Sequence, residues 1–242
     1  MNQKEMIEAL LQKKTYQFED LKDIMTILRS ESGCPWDLEQ THESIRSCMI
    51  EEAYEVIEAI DTANSSLLRE ELGDVLFQVM FHSQIEFEKN EFSVDDVVND
   101  ICVKMIHRHP HVFAKDQALD SADDVVVQWE SIKVEEKQRR TTASRLRSIP
   151  PMLPALMRAK KVASKAGLSQ SDFGCEEEIL SLANAMFCAD EADKVNAMGE
   201  LLMKLSVYAD AEKIDAEYAL GQAIERRIRE IEKKECQNCK NI

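Results

Sequence analysis

Glycine and proline are scarce in this 242-residue chain, with 6 and 5 residues respectively. That scarcity argues against sandwiches, barrels and strand–helix alternation, all of which need many more turns. No apolar run approaches the roughly 18 residues that cross a bilayer. The N-terminal MNQKEMIEALLQKK lacks a signal peptide's apolar stretch, so neither a membrane nor a secreted protein is expected, and a cytoplasmic address is. Basic residues are outnumbered, 30 Lys plus Arg against 46 Asp plus Glu, for a formal net charge of -16. A duplex nucleic-acid partner is thereby disfavoured, since phosphate binding needs a basic surface. Disulfide spacing is absent too. The seven cysteines (34, 48, 102, 175, 188, 236, 239) are odd in number, Cys48 and Cys102 fall in helical apolar patterns as small hydrophobes, and all read as reduced thiols. Cys236 and Cys239 have CxxC spacing, but a zinc site needs a second pair or two histidines, and an exposed tail is expected.

What is abundant favours helix. Hydrophobic residues make up 44% of the chain, enough for a sizeable core, and Ala, Leu, Met, Glu, Lys and Gln dominate. The expected fold class is all-α. Periodicity and stop signals place helices over about 4–29, 43–63, 66–89, 94–108, 122–139, 153–165, 176–188, 191–210 and 213–234, with loops at SESGCPWDLEQTH and HPHVF. The stretch RRTTASRLRSIPPMLP, with charges, hydroxyls and three prolines, is the best boundary. It divides the chain into modules 1–140 and 141–242. The first holds 30 acidic and 15 basic residues and the second 16 and 15, so the excess acid is concentrated in the first. The two resemble tandem repeats around REELGDVLFQVMFHSQIE and VNAMGELLMKLSVYADAE. Where the first has Glu71 and Asp74, the second has Ala197 and Glu200.

The acids become informative once placed on helical faces. Successive residues step about 100° around a helix. On helix 43–63, Glu52 then falls in the middle of the stripe formed by Ile45, Cys48, Met49, Val56, Ala59 and Ile60. Glu55 lies on its edge, and Glu51 and Glu58 look outward. On helix 66–89, Glu71 shares a face with Leu67, Leu68, Val75, Gln78, His82 and Ile85, and Asp74 takes the edge. Two consecutive helices thus each turn an i, i+3 acid pair inward. One buried unpaired carboxylate costs several kcal/mol, and four together repel. A cation is therefore expected. Arg46 and Arg69 are the few basic residues nearby, whereas hard divalent cations take clustered carboxylate oxygens, and Mg²⁺ commonly binds through carboxylates plus substrate phosphate. Zinc would require His or Cys among the ligands, and His82 on these faces lies two turns away from Glu71. A di-iron bundle would carry Glu-x-x-His, but here the i+3 positions are Glu55 and Asp74. The plainer reading is a wet groove or pairing with Lys and Arg from other helices.

The motifs GCPWDLEQTHESI, EEAYE at 51–55, ELGD at 71–74, KMIHRHPHVF at 104–113 and QWESIKVEEK at 128–137 resemble the MazG family of nucleoside triphosphate pyrophosphohydrolases. IPPMLPALMRAKKVASKAG and AIERRIREIE are similar to the C-terminal half of its two-domain members. The resemblance implies an all-α protein, usually dimeric, that cleaves NTPs to NMP and pyrophosphate with Mg²⁺ on an EExxE and ExxD signature. By position that signature is Glu52, Glu55, Glu71 and Asp74. Glu51 and Glu55 are the candidates to orient or deprotonate the attacking water. The resemblance also points to Lys104, Arg108, Trp129 and Lys133 as substrate-binding residues. Lys and Arg neutralise polyphosphate, and Trp offers a face to a base; without the family, a solvated charge or core aromatic is the plainer reading of each. Trp36 and Asp37 either line the base pocket or form a packed Trp with a capping Asp. His107, His109 and His111 read as structural residues or minor phosphate contacts. The second module lacks the acids: SLANAM at 181–186 and AMGE at 197–200 break the signature, so a degenerate copy retained for packing or dimerisation is expected. The rival function is a non-catalytic helical dimer that binds nucleotide or metal. A homodimer is expected in either case.

Overall fold

The computed structural model describes residues 2–114, 121–136, 141–168, 176–188 and 190–239, except for the side chains of Glu130, Val134, Glu135, Ala192, Asn238 and Cys239. All regular elements among them are helices. None is long and apolar enough to cross a membrane. Two compact units form, Met1–Asp120 and Ser121–Ile242. The divide precedes the helix that carries Trp129 and Lys133, earlier than the 140/141 boundary expected from the prolines.

In the first unit, the single helix expected over about 4–29 is two, α1 (Gln3–Leu11) and α2 (Phe18–Leu28). The run Gln12–Thr15 offers no apolar side chain to bury, so the helix gains nothing from continuing there. The chain restarts at Gln17, whose N–H donates to Asp20 Oδ2 at 2.8 Å, while the Lys13 ammonium pairs with the buried Asp20 carboxylate. That ammonium, followed by the Gln17 N–H, holds the Asp20 carboxyl below its ordinary value. The SESGCPWDLEQTH loop contains a short helix, α3 (Pro35–Glu39), with proline at its start. Next come α4 (His42–Asp61) and α5 (Ser65–Glu88), an antiparallel pair closed by a turn in which Ala63 is left-handed (φ 51°) and the Asn64 side chain accepts from the Leu67 N–H at 3.2 Å. α6 (Val94–Arg108) follows, and the HPHVF loop forms one further turn of helix, α7 (Pro110–Phe113).

The core of this unit is Met25, Ile45, Met80, Phe81, Ile85 and Val94, with Leu21, Cys48 and Phe77 packed against it. Cys48 is thus the small hydrophobe expected, whereas Cys102 is exposed. Ile60 is also exposed, although Ala59 beside it on the last turn of α4 is buried.

The second unit contains α8 (Ala122–Glu136), α9 (Thr142–Arg147), α10 (Ala155–Ala166), α11 (Glu176–Cys188), α12 (Glu191–Ala211) and α13 (Ala216–Cys239). α9 lies inside the stretch expected to be a boundary loop, capped by the Thr141 hydroxyl. α11 packs on α12, and α10 on α12 and α9. α10 stops at Gly167, whose φ of 73° suits glycine and lets the Leu168 N–H reach the Ala163 carbonyl at 3.0 Å. Cys236 is exposed; Cys175 and the Cys239 side chain lie outside the described residues.

A polar cluster fastens the open end of the α4–α5 hairpin. The rings of His42 and His82 stack with centroids 5.0 Å apart, and their Nδ1 atoms are 2.7 Å apart, so that one N–H serves both. His42 Nε2–H donates to Glu86 Oε1 at 2.5 Å, and the Lys89 ammonium meets the same oxygen at 2.7 Å. Burial, then the neighbouring His42, lowers the His82 pKa from 6.5. The unfolded chain therefore binds more protons, and stability falls as pH drops below about 6.5 through the lower folded value. Chemical denaturation of wild type from pH 8 to 5 should show that loss. His82→Gln should flatten the profile, whereas an unchanged slope would contradict the role given to His82.

Candidate metal centre

The site is built by two helices and a turn. Because α4 and α5 run antiparallel, the acids on their facing sides are brought to one level, and i, i+3 spacing keeps each pair on one face. Oxygens of Glu52, Glu55 and Glu71 lie within 4.8 Å of one another. Glu71 is buried, Glu52 half-buried and Glu55 exposed. Asp74, also exposed, is outside this trio, yet its charge acts on both Glu52 and Glu71. Glu51 is exposed and raises Glu52 more weakly.

The electrostatics are those of crowded like charges. Burial is the largest cause raising the pKa of Glu52, followed by the charges of Asp74 and Glu55. Burial likewise leads for Glu71, followed by the charge of Glu55. A side-chain hydrogen bond with Glu55 raises both groups further. A group of three carboxylates, with no histidine or cysteine in it, suits a hard divalent cation.

The other expected residues are dispersed. Lys104 is exposed and Arg108 buried on the last turns of α6. His109 donates from Nδ1 to the Met105 carbonyl at 2.6 Å and its ring lies 5.6 Å from that of His111, a local structural arrangement. Trp129 and Lys133 sit in the second unit, where the Lys133 ammonium stands 4.0 Å from the Trp129 ring centroid and covers one of its faces. Trp36 is 61% exposed, which contradicts the packed-Trp alternative. Asp37 is buried in the first turn of α3, whose N-cap residue is Cys34.

One residue with a structural part in this region was missed from sequence. Arg29, at the end of α2, is 7% exposed and grips Glu88 through Nε and Nη2, both at 2.8 Å. Its Nη1 donates to the carbonyls of Asp37 at 2.6 Å and Gln40 at 3.2 Å, so a guanidinium caps the C-terminus of α3, and its carbon lies 5.2 Å from the Phe81 ring centroid. Glycine is required just ahead of this strut. A Cβ at Gly33 would come within 2.1 Å of the Ile27 carbonyl oxygen. The signal available in sequence was a lone Arg one turn beyond Met25, in phase with the apolar face of α2.

Comparison with known proteins identifies the family. The model of the MazG nucleotide pyrophosphohydrolase domain matches residues 40–113, which contain both acid pairs, Lys104 and Arg108. The chain is 40% identical over 226 residues to the nucleoside triphosphate pyrophosphohydrolase/pyrophosphatase MazG of Thermotoga maritima, covering 90% of this chain and 85% of that one. The chain belongs to the MazG family. A second MazG relative, the nucleoside triphosphate pyrophosphohydrolase of Escherichia coli, is 38% identical over 231 residues, covering 90% of this chain and 88% of its own. The matched domain ends before α8, so Trp129 and Lys133 lie outside it.

The second unit has no such group among its described residues. Glu178 accepts from the Lys204 ammonium at 3.0 Å and Glu176 from the Tyr208 hydroxyl at 3.2 Å. The acids at the start of α11 are therefore engaged by partners from α12.

Proposed function

We propose that this MazG-family chain hydrolyses nucleoside triphosphates to a nucleoside monophosphate and pyrophosphate, using Mg²⁺ held in the first unit by Glu52, Glu55, Glu71 and Asp74. The observation that carries the reading is the trio of carboxylates within 4.8 Å, two of them with raised pKa. A divalent cation supplies charge neutralisation and activates water for attack on phosphorus. Water attacks the α-phosphorus, the bond from that atom to the α,β-bridging oxygen breaks, and pyrophosphate leaves. Glu51, outside the trio yet near enough to repel Glu52, accepts the water's proton, while Glu55 stays with the cation. Lys104 and Arg108 offset polyphosphate charge, and the exposed Trp36 offers its ring to the base. The roles of Trp129 and Lys133 rest on the family resemblance alone. The missing acid signature and the engaged glutamates of α11 support a hydrolytically inactive second unit.

We infer a homodimer as well. Ile50, Tyr54 and Ile57 on α4 and Leu72 and Leu76 on α5 are exposed, an apolar band that a symmetry mate would bury through an isologous contact. Light scattering at micromolar concentration should give about twice 27.7 kDa; a monomer mass would refute the assembly.

Chromatography of ATP and dGTP after incubation with Mg²⁺ tests the reaction. NMP and pyrophosphate are expected, with kcat reduced about a hundred-fold or more in Glu71→Gln. Release of NDP and phosphate would reassign the broken bond, and absence of turnover would remove the enzyme reading.

A further inference from the structure

Gln78 is 7% exposed, and its Oε1 is buried without any hydrogen bond. Among the described residues of the first unit, no other buried side-chain oxygen or nitrogen lacks a partner. Other buried polar groups there are satisfied: the Ser83 hydroxyl donates to the Val79 carbonyl at 2.8 Å, and Arg29 has its four contacts. A buried acceptor left unmade destabilises the fold, so its retention between two long helices calls for a donor that arrives with a ligand.

Helix geometry indicates where that donor would sit. Gln78 follows Glu71 by seven residues, nearly two full turns, and therefore occupies the same face of α5. It follows Asp74 by four, about 6 Å along the axis. Helical side chains lean toward the N-terminus and cover the preceding turn, so the Gln78 amide extends over the level of Asp74. The His42–His82 contact sets the register of the antiparallel pair, and ten residues on from it Glu52 stands opposite position 72 of α5, beside Asp74. We propose that Gln78 Oε1 is an outer-sphere acceptor at the floor of the carboxylate site, taking a hydrogen bond from a water held by the divalent cation. This rests on the metal reading above and extends it by one residue. Mg²⁺ retains several waters, each an O–H donor, and such second-layer partners commonly set affinity.

The second unit supplies an independent contrast. Aligning Gly73 with Gly199 puts Lys204 at the position of Gln78. Where the acid signature is missing, an ammonium paired with Glu178 at 3.0 Å takes the place of the orphan amide.

The test uses full-length protein with Mn²⁺ alone as the probe, its binding followed by electron paramagnetic resonance, and thermal unfolding without metal. Gln78→Met keeps the volume and deletes the acceptor. It should raise the metal-free Tm by a few degrees while weakening Mn²⁺ binding about ten-fold or more. Gln78→Glu keeps an acceptor oxygen but adds a fifth acid, so it should retain Mn²⁺ affinity and lower the metal-free Tm. A Gln78→Met protein with lowered Tm, or with Mn²⁺ affinity within two-fold of wild type, overturns the proposal. A wild-type protein that binds no Mn²⁺ overturns both this assignment and the metal reading beneath it.

Discussion

Carboxylates confined between two antiparallel helices repel each other, and the rest of the first unit is arranged so that α4 and α5 stay together despite it. Glu52, Glu55 and Glu71 bring oxygens within 4.8 Å of one another. What resists separation is placed elsewhere along the same two helices. Ile45 and Ile85 join the core, and the His42–His82–Glu86–Lys89 cluster closes the far end. The short turn through Ala63 and Asn64 closes the near end. The repulsion is thus held at one level of the hairpin, where a divalent cation would convert it into attraction.

The loop before α4 depends on the same framework. Arg29 joins the end of α2, the end of α5 through Glu88 and the C-terminal carbonyls of α3. A buried guanidinium with that many acceptors fixes a five-residue helix that has little stability of its own. Trp36 is thereby presented to solvent beside a rigid support. The tight approach at Gly33 leaves this loop little freedom.

Periodicity made the hairpin and its acids legible because helical phase alone decides which side chains share a face; Glu52 and Glu71 were found inward and Glu51 outward on that basis. Asp74, which the same phase puts on the edge of its face, lies outside the trio in the structure. The break between α1 and α2 was hidden because Gln12–Thr15 holds no glycine or proline; what ends the helix is a polar stretch and the pairing of Lys13 with Asp20 across the break. Arg29 and the His42–His82 contact were invisible for a related reason. Each depends on residues 8 to 59 positions apart, and local pattern carries no information about such partners. The second unit's lack of an acid signature could be read directly, whereas the engagement of Glu176 and Glu178 by Tyr208 and Lys204 required the structure.

Calorimetric titration of Mg²⁺ into the full-length protein tests most directly whether the carboxylate group of α4 and α5 holds a divalent cation. Saturable binding is expected, strongly weakened in Glu71→Gln. No binding, or binding undiminished in Glu71→Gln, would contradict it.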